Sequence, residues 1–474
     1  MKKEEVEALQ PLREKIRPEP IDRLARPFKT FLEREASAGI LLLAATAIAL
    51  VWANSGFAES YEKFWHAPLA IRLGSHELEF SLQHWINDFL MAVFFFVVGL
   101  EIKREILAGE LSSIRKATLP VAAAIGGMII PAAIYFGMNL SGGGSRGWGI
   151  PMATDIAFAL GVLALFGSRV PLALKVFLTA LAIVDDIGAV LVIAFFYTSE
   201  LNTMQLFIGA LFFVGLIGCN VAGIRSALVY GAISILGLWL AFYYSGIHPS
   251  IAGVVAALAI PARRRLRPKD FLLISRPLID RYEDAFDDDR IVRYQDFMTS
   301  RQLSSIRAVE AAFEFVQTPL ERLERGLHPW VIFGIMPIFA LANAGVHLNI
   351  ESSEMFLSSV TWGVALGLLI GKQVGIFAFS YIACRLGWAV LPYRTTFLQL
   401  YGVSCLGGIG FTMSLFIAGL AFPAGTAHYD FLANAKVGIL IGSILSGLLG
   451  AAAILVAPKA DEEGTAEAPP SLAA

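Results

Sequence analysis

From about residue 36 to residue 456 the chain alternates long apolar stretches with short polar connections. A helix needs about 20 predominantly apolar residues to cross a hydrocarbon core. Segments of that kind lie near 36–54, 83–102, 118–139, 148–167, 172–197 and 205–222, and again near 226–244, 247–260, 329–346, 361–384, 396–421 and 431–456. The pattern predicts an all-α polytopic membrane protein with twelve transmembrane helices, of which 247–260 is short for a span.

The connections alternate in basic content, which fixes an orientation because loops rich in Lys and Arg stay cytoplasmic. One side carries the tail 1–35, then Lys103, Arg104, Arg115 and Lys116, Arg169 and Lys175, Arg225, the Arg263 to Arg267 cluster, Arg385, Arg394 and Lys459. The loops around 140–147, 198–204, 347–360 and 422–430 are nearly free of both residues. Both termini are therefore expected in the cytoplasm. Two connections are longer. Residues 55–82 include LAIRLGSHELEF, an alternating run with Gly74 and Ser75 placed as a turn, which predicts an external β-hairpin. Residues 262–328 form a charged cytoplasmic insertion, with Asp287, Asp288 and Asp289 beside helix-favouring runs such as SSIRAVEAAFEFVQ. The resulting organisation is a cytoplasmic tail at 1–35, transmembrane helices 1–8 within 36–261, the insertion at 262–328, helices 9–12 within 329–456, and a tail at 457–474 whose Pro, Ala and acidic composition predicts disorder.

Composition agrees. The chain is 56% hydrophobic and 16% charged, with a mean hydropathy of +0.66, far from a soluble domain. A net charge of −2 leaves no basic surplus for nucleic acid. Cys219, Cys384 and Cys405 lie in apolar segments without metal-ligand spacing, so they read as packing residues. The first 35 residues lack a short apolar core and cleavage site, so they do not read as a signal peptide.

Against this background four ionisable residues stand out: Lys372 in WGVALGLLIGKQVGIFAFSYIAC, Asp155 in GIPMATDIAFALGVLALF, and Asp185 and Asp186 in VFLTALAIVDDIGAVLVIAFFY. A charge at the bilayer centre costs a few kcal/mol, so such residues mark ion or proton pathways. Pro151, Thr154 and Asp155 interrupt one span, and Gly407, Gly408, Gly410 and Thr412 interrupt another in the second half. Paired interrupted segments point to a midplane ion site between two discontinuous helices. Asp155 would balance the positive half-helix ends there and Lys372 the negative ones.

Gly363, Gly367, Gly371 and Gly375 form a close-packing stripe beside Lys372, and Ala182, Gly188 and Ala189 flank Asp185, which makes a Lys372–Asp185 ion pair sterically feasible. Buried neighbouring carboxylates hold protons more tightly than exposed ones, so Na⁺ or Li⁺ would compete with H⁺ for the same oxygens. A hard cation wants oxygen ligands, which Asp155, Asp186, the Thr154 hydroxyl and broken-helix carbonyls can supply. No cofactor is implied. His248, beside Pro249, reads equally as an end-cap or a pH-sensing group, and Lys436 as a snorkelling residue.

Other classes fit less well. An intramembrane aspartyl protease would place its acids on separate helices in YD and GxGD contexts, and a prenyl transferase needs spaced acid-rich motifs, neither of which occurs. A cation channel is opposed by the fixed charge of Lys372. An organic-anion symporter would need a larger, less acidic pocket.

The strings HWINDFLMAVFFFVVGLEIKRE, ATDIAFALGVLALFGSRVPLALKVFL, LAIVDDIGA, GIHPSIAGV, LHPWVIFGIMPIFALANAGV, LLIGKQVGI and GIGFTMSLFIA, in that order, closely resemble the NhaA family of bacterial Na⁺/H⁺ antiporters. The resemblance implies inverted repeats formed by helices 3–5 and 10–12, with broken helices 4 and 11 crossing at mid-membrane. It implies that Asp185 and Asp186 are the ion- and proton-binding pair, that Lys372 partners Asp185, and that Asp155 and Thr154 are the broken-helix residues. It further implies electrogenic exchange of cytoplasmic Na⁺ or Li⁺ for external H⁺, activated at alkaline pH, in the bacterial inner membrane, by a homodimer joined through the external hairpin. Glu101, Arg104, Glu105, Glu324, His328 and His248 match or join the pH-response positions, and Asp88 a secondary acidic one. The chain departs from the family pattern at Arg325, where His is usual, and in the length of the insertion.

Overall fold

The computed structural model describes residues 36–73, 76–140, 143–198, 201–284, 298, 300–347, 354–423, 426 and 429–458. The tail 1–35, residues 459–474 of the other tail, the turn at Gly74 and Ser75, and the Asp287–Asp289 cluster lie outside these residues. The described helices are α1 (Ser37–Ala53) and α2 (Ala58–Trp65), then α3 (Leu82–Ala108), α4 (Ile114–Met138), α5 (Ile156–Leu165), α6 (Leu172–Phe196), α7 (Thr203–Val221), α8 (Ala227–Ser245) and α9 (Ser250–Ala259). After α10 (Pro268–Asp284) and α11 (Ser300–Val316) come α12 (Pro319–Asn343), α13 (Ser359–Arg385), α14 (Phe397–Leu406), α15 (Phe411–Ala421) and α16 (Asp430–Val456).

Among the described residues eight helices are long and apolar enough to cross a membrane, or up to 11 spans if each of three bent pairs counts as one. The stretch at 247–260 holds only α9, with 10 helical residues. The span expected to begin at 329 instead starts at Pro319. Thr318 and Glu321 form a capping box there, and Leu320 and Glu324 are buried, so tertiary contact extends the helix into residues too polar to register as a span.

Strands β1 (Pro68–Leu73) and β2 (His76–Ser81) pair antiparallel, from Pro68 opposite Ser81 to Leu73 opposite His76. In the insertion α10 packs on α11, with the Phe271 and Phe313 rings 4.9 Å apart.

Burial sorts the helices by role. In their most apolar windows α13 is 61% buried and α3 and α6 are 56% buried, whereas α7 is 11% buried. On α7 the exposed side chains include Phe207, Leu211 and Val214, residues suited to lipid contact. The enclosed helices are the ones that carry Lys372, Glu101 and the Asp185–Asp186 pair.

The glycine stripe on α13 is a packing face. An added Cβ at Gly371 would lie 2.6 Å from Pro131 Cα on α4, one at Gly367 2.6 Å from Pro151 Cβ, and one at Gly375 would overlap the Gly126 carbonyl of α4. Small residues let helix backbones approach closely in lipid, where packing drives association. Gly375→Leu is therefore expected to destabilise the protein by about 1–3 kcal/mol, read as a lower Tm in detergent. An unchanged Tm would mean that α4 and α13 can part without cost.

Four spans contain π-helical turns, at Ile86–Leu90, Ser234–Trp239, Val331–Ile335 and Gly367–Gly371. Such turns favour functional positions. One ends directly before Lys372 and another contains Asp88.

Candidate functional site

Two interrupted segments meet at the centre of the site. A 3₁₀ stretch, Gly143–Met152, is followed by a break at 153–155, where Asp155 is extended, and then α5, with a bend of 43°. Between α14 and α15 the chain bends by 45°. Pro151 lacks an N–H, and Gly410 has no room for a side chain, since an added Cβ would lie 2.8 Å from the Ala153 carbonyl. Sequence and close approach thus break both helices at the same place.

The breaks satisfy each other's backbone. Asp155 N–H donates to the Ile409 carbonyl at 2.7 Å, the Thr154 hydroxyl to the Gly407 carbonyl at 2.8 Å, and the Ser414 hydroxyl to the Ile150 carbonyl at 2.8 Å. Asp155 accepts from Phe158 N–H at 3.0 Å through Oδ1, and through Oδ2 from Thr412 N–H at 3.2 Å and the Thr412 hydroxyl at 2.5 Å. One carboxylate therefore caps the N-termini of both α5 and α15, where the helix dipoles favour negative charge. The carbonyl ends are held by Thr154 and Ser414. Lys372, expected to balance those ends, is engaged elsewhere.

Lys372 Nζ donates to Asp185 Oδ2 at 2.5 Å, with both side chains 1% exposed. Its stem runs past Gly127 of α4, where an added Cβ would lie 3.6 Å from Lys372 Cδ. The second oxygen, Asp185 Oδ1, is buried and has no hydrogen-bond partner among the described residues. Besides Lys372, Thr154 bears on Asp185 through its hydroxyl and its backbone N–H. Asp186, one position along α6 and 4% exposed, receives no hydrogen bond from the described residues and feels the fields of Asp185, Glu101 and Asp155. Lys372 faces two carboxylates, Asp185 and Asp186, and one ammonium against two buried acids leaves a deficit of positive charge that a proton or a small cation can fill.

A second polar group stands beyond Glu101 on α3. Arg104 Nη1 pairs with Glu324 Oε1 at 2.5 Å and Nη2 with Glu105 Oε1 at 3.3 Å. His328 Nε2 lies 3.6 Å from Glu101 Oε1. These residues from α3 and α12 come together, and Glu101 links them electrostatically to Asp186. Arg325 is exposed and makes no ion pair among the described residues. A third group joins Asp88 to His84, with Nε2 to Oδ2 at 3.1 Å, and to His248, with Nε2 to Oδ1 at 3.6 Å. His248 Nδ1 also accepts from Ser250 N–H at 3.3 Å, which ties the ring to the first turn of α9. Lys436, read as snorkelling, turns its ammonium to the Gly345 carbonyl just past α12, at 3.4 Å.

Sequence reading did not assign roles to Thr412, Ser414 or His84. Thr412 was visible as part of an interrupted segment. His84 carried a signal only in its i, i+4 spacing to Asp88.

Comparison with known proteins places these residues in context. Residues 29–454 match the protein family described as Na⁺/H⁺ antiporter 1. The chain is 50% identical over 434 residues to the Na⁺/H⁺ antiporter NhaA of Oleidesulfovibrio alaskensis, covering 91% of this chain and 94% of that one. It is 47% identical over 428 residues to the Na⁺/H⁺ antiporter NhaA 2 of Syntrophotalea carbinolica, covering 90% and 95%. The solved sodium proton antiporter MjNhaP1 from Methanocaldococcus jannaschii superposes with a TM-score of 0.47 at 12% identity, covering 92% of this chain and 94% of that one, a likeness too loose to carry an argument. By family match and by identity over nearly its whole length, this multi-pass membrane protein belongs to the NhaA family of Na⁺/H⁺ antiporters.

Proposed function

We propose that the protein exchanges cytoplasmic Na⁺ or Li⁺ for external H⁺ at Asp185 and Asp186, with Lys372 as the exchangeable partner of Asp185. The observation that carries this reading is the uneven state of the two acids. Asp185 Oδ2 holds Lys372 while Oδ1 is unpartnered, and Asp186 has no direct partner among the described residues. An arriving Na⁺ takes oxygens from both carboxylates and the ammonium withdraws or gives up its proton, so cation and proton bind in competition. Asp155 and Thr154 keep the two broken segments together and offer further oxygens. Release on the other side follows from alternating access.

In this reading the chain makes twelve spans, counting α9 and the three bent pairs, with inverted repeats at helices 3–5 and 10–12 and the two breaks crossing at mid-membrane. It lies in the inner membrane with both termini, the 262–328 insertion and the 457–474 tail in the cytoplasm. The Glu101, Arg104, Glu105, Glu324 and His328 group forms the cytoplasmic mouth and switches exchange on at alkaline pH, with Arg325 and the insertion adjusting the range. Two copies associate through the β1–β2 hairpin, and the exchange supports sodium and pH homeostasis and salt tolerance.

More protons than sodium ions move per cycle, so net positive charge enters, helped by an inside-negative potential worth about 2.3 kcal/mol per charge per 100 mV. Proteoliposomes on a solid-supported membrane test this. Sodium jumps should give transient currents that vanish in Asp186→Asn. Sodium flux without current would make the exchange electroneutral and refute the stoichiometry.

A further inference from the structure

We infer that His84 is a positioning residue for exchange, acting from the outer side through Asp88 and His248 as a latch on the broken helix α15. The inference rests on the orientation and activity proposed above. A continuous set of contacts runs from the hairpin to the site. The Phe80 ring of β2 stacks on His84 with centroids 4.7 Å apart. His84 Nε2 meets Asp88 Oδ2 at 3.1 Å, Asp88 Oδ1 faces His248 Nε2 at 3.6 Å, and the His248 ring stands edge-on to Phe416 of α15 at 5.3 Å. Phe416 is one turn of α15 beyond Thr412, which binds Asp155.

Exposure falls along this path. The side chain of His84 is 45% exposed, and those of Asp88 and His248 are each 12% exposed. His84 is thus the most open of the three and, in the proposed orientation, lies on the outer side, while the other two sit within the fold. Asp88 itself lies in the π-helical turn Ile86–Leu90, whose backbone is steadied by the Trp239 indole N–H donating to the Asp88 carbonyl at 3.4 Å. The titratable groups facing Asp88 are His84 from its own helix, His248 from the start of α9 and Tyr243 from α8.

The chemistry gives the sign. Imidazole changes charge between about pH 5 and 8. Protonated His84 makes a charge-assisted bond to Asp88, holds the carboxylate against His248, and fixes His248 on Phe416. Neutral His84 leaves a weaker bond and a looser α15. Acid outside should thus slow the movement of α15 during the cycle, against the mass-action pull of external protons.

The test uses wild type and His84→Gln in proteoliposomes of defined orientation. Internal pH is held constant, external pH runs from 5.5 to 8, and sodium efflux is followed. Glutamine keeps a hydrogen bond to Asp88 but cannot become charged. Below external pH 6 the variant should be about two- to fivefold faster than wild type, as expected for loss of one partly exposed ion pair, and the two should coincide at pH 8. Asp88→Asn should give the same external-pH profile as His84→Gln. Superimposable profiles for wild type and His84→Gln would overturn the inference while leaving the antiport reading intact. Absence of sodium-driven exchange in wild type at every pH would refute the antiport reading itself.

Discussion

Asp186→Asn and Asp185→Asn are each expected to lower sodium-driven exchange by more than about 100-fold, since in the proposed mechanism each removes a charge that the transported cation meets directly at a desolvated site. Neither should prevent membrane insertion. Both residues lie on α6, whose 25 predominantly apolar residues already suffice for a span, and replacing a buried carboxylate by an amide removes a desolvation cost. The two variants should differ in stability. In Asp185→Asn the Lys372 ammonium loses its carboxylate, whereas Asp186 has no partner to abandon. Flux assays and Tm measurements on the same purified material would check both statements. Near-normal flux in both variants would place the transport site elsewhere.

The second large effect is expected at Lys372. Its ammonium is 1% exposed and bonded to Asp185, and removing one member of a buried ion pair typically costs about 3–5 kcal/mol. Lys372→Ala should therefore lower Tm strongly and also change the pH profile of exchange, because Asp185 then lacks its competing cation. A double-mutant cycle separates pairing from packing. If the bond is the cause, Lys372→Ala on an Asp185→Asn background should cost less than it does on wild type, by at least about 1 kcal/mol. Equal losses on both backgrounds would mean that the lysine stem, packed beside Gly127, matters more than the charge.

The main lines of the fold were legible because bilayer physics writes directly into sequence. The apolar stretches, the Gly363 to Gly375 stripe and the interruptions at Pro151 and at Gly407 to Gly410 all have structural counterparts. The start of α12 was not legible, since Leu320 and Glu324 are buried by tertiary contact in a polar stretch. The π-helical turn before Lys372 also escaped, because hydropathy does not register a change of helical pitch. In the candidate site, isolated charges within apolar segments single out Asp185, Asp186, Asp155 and Lys372 from sequence. The partners of those charges are set by the fold. That Asp155 caps two helices, that Thr154 gives its proton to Gly407, and that Lys372 chooses Asp185 over the helix ends are outcomes of three-dimensional register. His84 and Asp88 lay within one helical turn and so were adjacent in sequence terms, but His248 joins them from a distant helix.

The measurement that tests the central claim most directly is the collapse of a pH gradient by added sodium or lithium in everted membrane vesicles lacking other antiporters, from pH 6 to 9, with Asp186→Asn in parallel. Competition at Asp185 and Asp186 predicts that both ions collapse the gradient in wild type, that the response grows towards alkaline pH, and that Asp186→Asn is silent throughout. A full response in Asp186→Asn, or none in wild type at any pH, would contradict the account.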